Sequence, residues 1–188
     1  PREEGVEYDV DHAIIAGTDT WLVVHNKTGP NFEVGHAPVG TLGSLADLEP
    51  LVTHHDEVRI EGVDCFRDHL TIGYRSGAIG RIAVMKLDDA GFTTFQELEF
   101  DEELYTVASS GNPEWDAPVI RVSYGSFTTP GQLFDYWIES GERVLLKQQE
   151  VLGGYNREEY TASRLWVTAG DGAQIPVSLV HRADLELK

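Results

Sequence analysis

Val119-Ile120-Arg121-Val122-Ser123-Tyr124 reads as a β-strand; a turn follows from Gly125 through Gly131, and residues 132–138 read as a second strand. The apolar positions alternate, which places them on one face of an extended chain and not along a helical stripe. The same strand pair occurs twice upstream. One copy is Leu70-Thr71-Ile72-Gly73-Tyr74, the turn Arg75-Ser76-Gly77 and residues 81–87. The other is Trp21-Leu22-Val23-Val24-His25, the turn Asn26-Lys27-Thr28-Gly29-Pro30 and residues 32–34. Leu22 lies 48 residues before Leu70, and Leu70 lies 50 before Ile120. On the next strand, Phe32, Ile82 and Leu133 are spaced by 50 and 51 residues. A first strand opens each unit (residues 6–15, 58–66 and 104–109), and a fourth closes it (near 51–52, 95–100 and 142–147).

Four strands per unit at a period of roughly 40–50 residues is the signature of a β-propeller blade. A lone four-stranded sheet leaves both faces open, so such units must stack. The fold class is therefore all-β: three blades, at about residues 6–56, 57–101 and 102–150. Propellers close with about 4–8 blades. Three are too few, and the chain lacks an initiator Met, so a truncated piece of a longer protein is expected. Residues 42–51 suit a short turn or helix, and 157–160, after Gly153-Gly154, a single helical turn.

The repeat stops after Gln148-Gln149-Glu150. Leu165-Trp166-Val167-Thr168-Ala169, the turn Gly170-Asp171-Gly172 and Ile175-Pro176-Val177-Ser178-Leu179-Val180 then read as a hairpin, with Asp-Gly as its turn signal. Charge changes at the same place. The whole chain carries 14 basic and 32 acidic residues, net −18, yet residues 157–188 hold only 4 and 5 of them. A boundary is therefore expected between residues 1–156 and 157–188.

The acidity excludes nucleic acid as a partner, because phosphate binding needs a basic surface. It serves either solubility or the steering of cationic ligands. No apolar run reaches the roughly 20 residues of a membrane helix, so no membrane partner is expected. The single Cys65 has no partner for an internal disulfide, which fits a reducing compartment, and its setting beside Val63 and Phe66 suits a small buried residue.

Residues able to do chemistry are present but not in working patterns. Gly73-Tyr74-Arg75-Ser76-Gly77 puts its serine one place late for a nucleophile elbow and reads as a hairpin turn. Ser109-Ser110-Gly111 and Gly125-Ser126 read as turn serines capping their own backbone. His54-His55-Asp56 is the one histidine cluster; on a strand the two rings would face opposite ways, and no further zinc ligand stands at a recognisable spacing. Asp9-Val10-Asp11 lacks the Gly and Glu of a calcium loop. Glu3-Glu4, Asp88-Asp89 and Asp101-Glu102-Glu103 read as solvated turns. Asn26-Lys27-Thr28 matches the glycosylation pattern, with nothing else to suggest secretion. Trp21, Trp115, Trp137, Trp166 and the tyrosines are assigned to core and inter-blade packing in preference to a ligand groove, with Trp115 the most debatable. No catalytic, metal or cofactor residue is assigned.

Val119-Ile120-Arg121-Val122-Ser123-Tyr124-Gly125-Ser126-Phe127-Thr128-Thr129-Pro130 resembles the final propeller blade of the prolyl oligopeptidase family. So does Ser140-Gly141-Glu142-Arg143 with Leu145-Leu146-Lys147-Gln148-Gln149-Glu150-Val151. The hairpin from Leu165-Trp166 to Val180 resembles the entry into that family's α/β-hydrolase domain, and Gly5-Val6-Glu7-Tyr8 resembles the oligopeptidase B branch. Two positions depart from the family's habit: Gly125 stands where Ser is usual, and Gly170 where Arg or Lys is common. The resemblance implies a seven-bladed propeller capping a hydrolase domain whose Ser, Asp and His triad lies downstream of Lys188, so that no triad residue falls in this chain.

It implies a non-catalytic, substrate-gating propeller portion of a cytoplasmic serine oligopeptidase that cleaves short peptides after Lys or Arg. Residues 157–188 would be the linker and first hairpin of the hydrolase domain, missing beyond that point. The alternative is a stand-alone propeller-like module that binds protein or carbohydrate. Open blade faces also predict a homodimer of this chain.

Overall fold

The computed structural model describes residues 3–109 and 111–186. Three antiparallel sheets follow one another along the chain, and a two-stranded ribbon comes after them. The first sheet is β1 (Tyr8–Ile15), β2 (Thr18–His25), β3 (Glu33–Pro38) and β4 (Glu49–Val52), in that order. The second contains β5 (Val58–Cys65), β6 (His69–Ser76), β7 (Ile79–Asp88), β8 (Gly91–Phe92) and β9 (Gln96–Glu97). The third is β10 (Tyr105–Ser109), β11 (Val119–Ser126), β12 (Gln132–Trp137) and β13 (Arg143–Gln148). The ribbon pairs β14 (Tyr160–Thr168) with β15 (Gln174–Arg182), with Pro176 opposite Trp166. A ribbon has two edges, which is where a strand proline is tolerated.

The alternation in the repeat becomes inter-sheet packing. Leu22, Val24 and Val34 of the first sheet pack against Ile60, Leu70, Ile72 and Met85 of the second. Phe66, Ile82, Val84 and Leu98 of the second pack against Val107, Ile120, Val122 and Phe134 of the third. The middle sheet is covered on both faces, so His69 and Thr71 are buried along with Leu70 and Ile72. On the opposite face of the third sheet, Arg121 and Asp135 stand directly across the ladder and make a two-bonded ion pair at 2.9 and 3.1 Å. A bulge at Glu61 resets the period of β5 and keeps Val63 and Cys65 on the same side as Val58 and Ile60, toward the first sheet.

Two local expectations change, and the short turn expected within residues 42–51 forms. The fourth strand of the second sheet does not run through residues 95–100. Two short pieces, β8 and β9, share one edge of β7, and the Thr93 hydroxyl accepts the Lys86 N–H between them at 2.9 Å. Phe100 leaves the sheet and stacks on Tyr124 at 4.5 Å. Residues 45–47 form one 3₁₀ turn closed by reciprocal Ser44 and Asp47 caps, and strand β4 begins at once after it. The tryptophans do not fill the core: Trp115, Trp137 and Trp166 are exposed and Trp21 is half-buried, whereas Tyr74, Tyr124 and Tyr136 are buried between sheets.

Two hairpins turn on an alanine. Ala16-Gly17 joins β1 to β2, and Gly77-Ala78 joins β6 to β7; all four residues have φ between 48° and 75°. Those values are the two-residue turn whose twist matches paired strands.

Candidate functional site

The densest polar cluster lies where the third sheet meets the segment leading to the ribbon. Glu102 precedes β10, and the loop after β11 folds back over it. Its carboxylate accepts hydrogen bonds from Tyr124 Oη (2.5 Å), Ser126 Oγ (2.7 Å), Thr128 Oγ1 (2.6 Å) and Thr129 Oγ1 (2.8 Å). Ser126 Oγ also accepts the N–H groups of Thr128 and Thr129, so the loop caps itself while donating to Glu102. Burial pushes the Glu102 carboxyl up, but the four hydroxyl donors outweigh it and hold the group down at about 2. Burial and the Glu102 carboxylate together push the Tyr124 phenol up.

Three polar contacts reach from this cluster toward the ribbon. Arg157 Nη2 lies 3.3 Å from Glu102 Oε1. Tyr155 Oη donates to the Thr128 carbonyl at 2.6 Å. The Arg164 N–H in β14 donates to Glu103 Oε2 at 3.0 Å. A cavity of about 600 Å³ remains between the two sides, lined by Asp101, Glu103, Leu104 and Thr128 on one and by Glu158, Tyr160 and Ala162 on the other. The arrangement holds charge in fixed positions, and its chemistry is that of a joint between two elements: four neutral donors and one guanidinium satisfy a single carboxylate.

Sequence reading missed this centre by treating Asp101-Glu102-Glu103 as a solvated turn. The available signal was Ser126-x-Thr128-Thr129, three hydroxyls in one short loop, which need an acceptor once the loop is folded under.

The other singled-out residues have separate roles. Ser76 ends β6 at the Gly77-Ala78 turn, the position given to it from sequence. Ser109 Oγ accepts from Asn112 Nδ2 at 2.9 Å, and Ser110 lies outside the described residues. The His54 ring packs so closely on Gly29 that a Cβ there would clash with it, whereas His55 Nδ1 accepts the Glu57 N–H at 3.1 Å. Asp11 Oδ2 accepts the Cys65 N–H at 2.6 Å and ties the first sheet to the second. Burial and then Asp11 push the Cys65 thiol up to about 12, far from a thiolate nucleophile. Asn26 Oδ1 accepts the Glu7 N–H at 2.8 Å. Gly125 sits inside β11, and a Cβ there would make only ordinary contacts; at Gly170 it would meet open space. Both departures are sterically neutral. Among the described residues, no helix is long and apolar enough to cross a membrane.

Residues 1–149 match the family described as prolyl oligopeptidase, N-terminal beta-propeller domain. The dipeptidyl aminopeptidase BI of Pseudoxanthomonas mexicana is 36% identical over 187 residues, which is 98% of this chain and 24% of that protein. Oligopeptidase B from Trypanosoma brucei, solved in a closed form with covalently bound antipain, superposes with a TM-score of 0.88 at 33% identity, covering 100% of this chain and 26% of that one. Oligopeptidase B from Leishmania major gives a TM-score of 0.85 at 31% identity, covering 99% and 26%. The chain thus spans about a quarter of the length of the relatives it matches. Three stacked antiparallel sheets, the sequence match over 1–149 and the superposition on these peptidases lead to one statement: the chain belongs to the prolyl oligopeptidase family and carries part of its β-propeller domain.

Proposed function

We propose that the chain is the gating propeller portion of a serine oligopeptidase, joined through residues 157–188 to the opening hairpin of a hydrolase domain, and that it favours short peptides containing Lys or Arg. The observation that carries the steering part is the placement of charge. Of the net −18, only −1 falls in residues 157–188, and the first strands of the first two sheets bring Asp9, Asp11 and Asp64 together. Burial, then Asp11 and Asp9, push the Asp64 carboxyl up, as expected where like charges crowd. A surface of one sign raises the local concentration of oppositely charged peptides and accelerates their capture. The names of the relatives point two ways, to dipeptidyl aminopeptidase and to oligopeptidase B, and the acidity favours the basic-peptide reading. A cytoplasmic setting suits the one unreactive thiol.

The test is kcat/KM of the full-length enzyme on matched Arg- and Ala-containing reporter peptides across ionic strength. Capture of the Arg peptide should drop about tenfold from low to high salt while the Ala peptide stays level. Equal, salt-independent rates would remove the steering claim. Cleavage of the Arg reporter by residues 1–188 alone would remove the claim that this portion is non-catalytic.

A further inference from the structure

We propose that Glu102 and Arg157 form a charge-held latch that fixes the orientation of the β14–β15 ribbon against the third sheet. Glu102 is the anchored half. Its side chain is only 12% exposed, and the hydroxyls of Tyr124 and Ser126 in β11 and of Thr128 and Thr129 in the loop after it hold both oxygens. Arg157 is the movable half, 56% exposed and carried on a one-turn 3₁₀ segment (Arg157–Glu159) next to β14. The other links across the joint, Tyr155 to the Thr128 carbonyl and the Arg164 N–H to Glu103, are also polar.

Apolar packing contributes little here. Leu165, Trp166 and Val167 are each about half exposed, and an open cleft of about 600 Å³ runs between the two sides. Close-packed interfaces resist displacement because every shift breaks many dispersion contacts at once. A gapped joint bridged by a few charge-assisted bonds has no such resistance, so its orientation depends on those bonds. If the ribbon opens a hydrolase domain, as proposed above, the latch sets how that domain is presented; the latch itself requires no peptide and no activity.

Amide exchange followed by NMR on the 188-residue chain tests it, because the Arg164 N–H reports docking directly. Two amides inside the ribbon unit serve as controls: Ala169 N–H, bonded to the Ala173 carbonyl, and Ala183 N–H, bonded to the Glu159 carbonyl. Arg157→Ala and Glu102→Gln should each speed Arg164 exchange about fivefold, the factor a part-buried ion pair supports, and leave both controls unchanged. Arg157→Lys should retain most of the protection. Raising salt from about 0.05 M to about 0.5 M should speed Arg164 exchange in the native chain and not in Arg157→Ala. Unchanged Arg164 exchange in Arg157→Ala overturns the latch. Equal acceleration of Arg164 and both controls also overturns it, because that pattern is ribbon melting and not undocking.

Discussion

Lowering the pH from about 7 to about 5 is expected to destabilise the protein by about 2 kcal/mol through His69. This residue is 1% exposed in the doubly covered middle sheet, its ring stacks on Phe66 at 4.5 Å, and its Nε2 has no hydrogen-bond partner among the described residues. Burial pushes its pKa down from 6.5 to about 4, with Asp68 opposing weakly. Between those values the unfolded chain binds a proton that the folded chain refuses. His69 therefore costs no stability above 6.5, and the cost grows as pH falls toward 4. At about 1.4 kcal/mol per unit the full loss is about 3 kcal/mol, of which about 2 is reached by about pH 5. His25, lowered chiefly by burial with Glu33 opposing, acts in the same direction. Glu102 acts lower: its depressed pKa gives stability that is complete above 4.5 and is lost as pH falls toward 2. Asp64, whose carboxyl is pushed up, acts in the opposite direction, so the imidazole is isolated by the difference between the native chain and a variant lacking it across 6.5 to 4.5. Urea unfolding followed by tryptophan fluorescence, in steps of about half a pH unit, measures it in the native chain and in His69→Leu, which keeps the bulk and loses the titration. The variant's stability should fall less steeply toward acid. Parallel curves for the two proteins across that interval would refute the reasoning.

Removing the Glu102 side chain with Glu102→Ala strips four hydroxyls of a charged acceptor and should cost about 2–4 kcal/mol in the same urea assay near neutral pH. Thr128→Val, which deletes one of the four donors, should cost about 1–2 kcal/mol, and equal losses for the two variants would count against a shared hub. Ala16→Asn converts Ala16-Gly17, with φ of 48° and 75°, into the favoured Asn-Gly turn and should stabilise by about 1 kcal/mol. Every residue of β13 is exposed, with Leu145 at 54%, and Trp166 of the ribbon is at 51%. The isolated chain should therefore dimerise at high concentration, and a monomeric mass by light scattering would contradict that expectation.

The repeat was legible because sheet stacking imposes a period of two on each strand and a period near fifty on the chain. Leu22, Leu70 and Ile120 were matched by spacing alone, and all three are fully buried; Leu70 and Ile120 each stand second in their strand and face the preceding sheet, whereas Leu22 stands fifth in β2 and faces the following one. Features that depend on one local bond were not legible. Nothing in the composition of residues 91–100 announces that Thr93 interrupts an edge strand or that Phe100 departs to stack on Tyr124. Tryptophans and tyrosines were assigned to packing together, yet of the two only tyrosines are buried, where the phenol finds an acceptor: Tyr124 donates to Glu102, and Tyr74 to Glu97.

Glu102 shows why the joint escaped a reading by pattern. Its donors lie 22 to 27 residues away, on the far side of a strand, and contribute nothing to any periodicity. Net charge also hides it, because −18 counts Asp101, Glu102 and Glu103 as equals. Folding makes them unequal: Glu102 is enclosed by four hydroxyls, whereas Glu103 keeps one contact, to a backbone N–H of the ribbon. The stretch from Val119 to Pro130 that carried the family resemblance also contains the four hydroxyls of the cage. Capping the turn accounts for Ser126, whose Oγ accepts the Thr128 and Thr129 N–H groups, but not for the Thr128 and Thr129 hydroxyls, which donate to Glu102. Three hydroxyls aimed at one carboxylate, with an arginine from the next element completing the set, are explained by the need to hold that element in place.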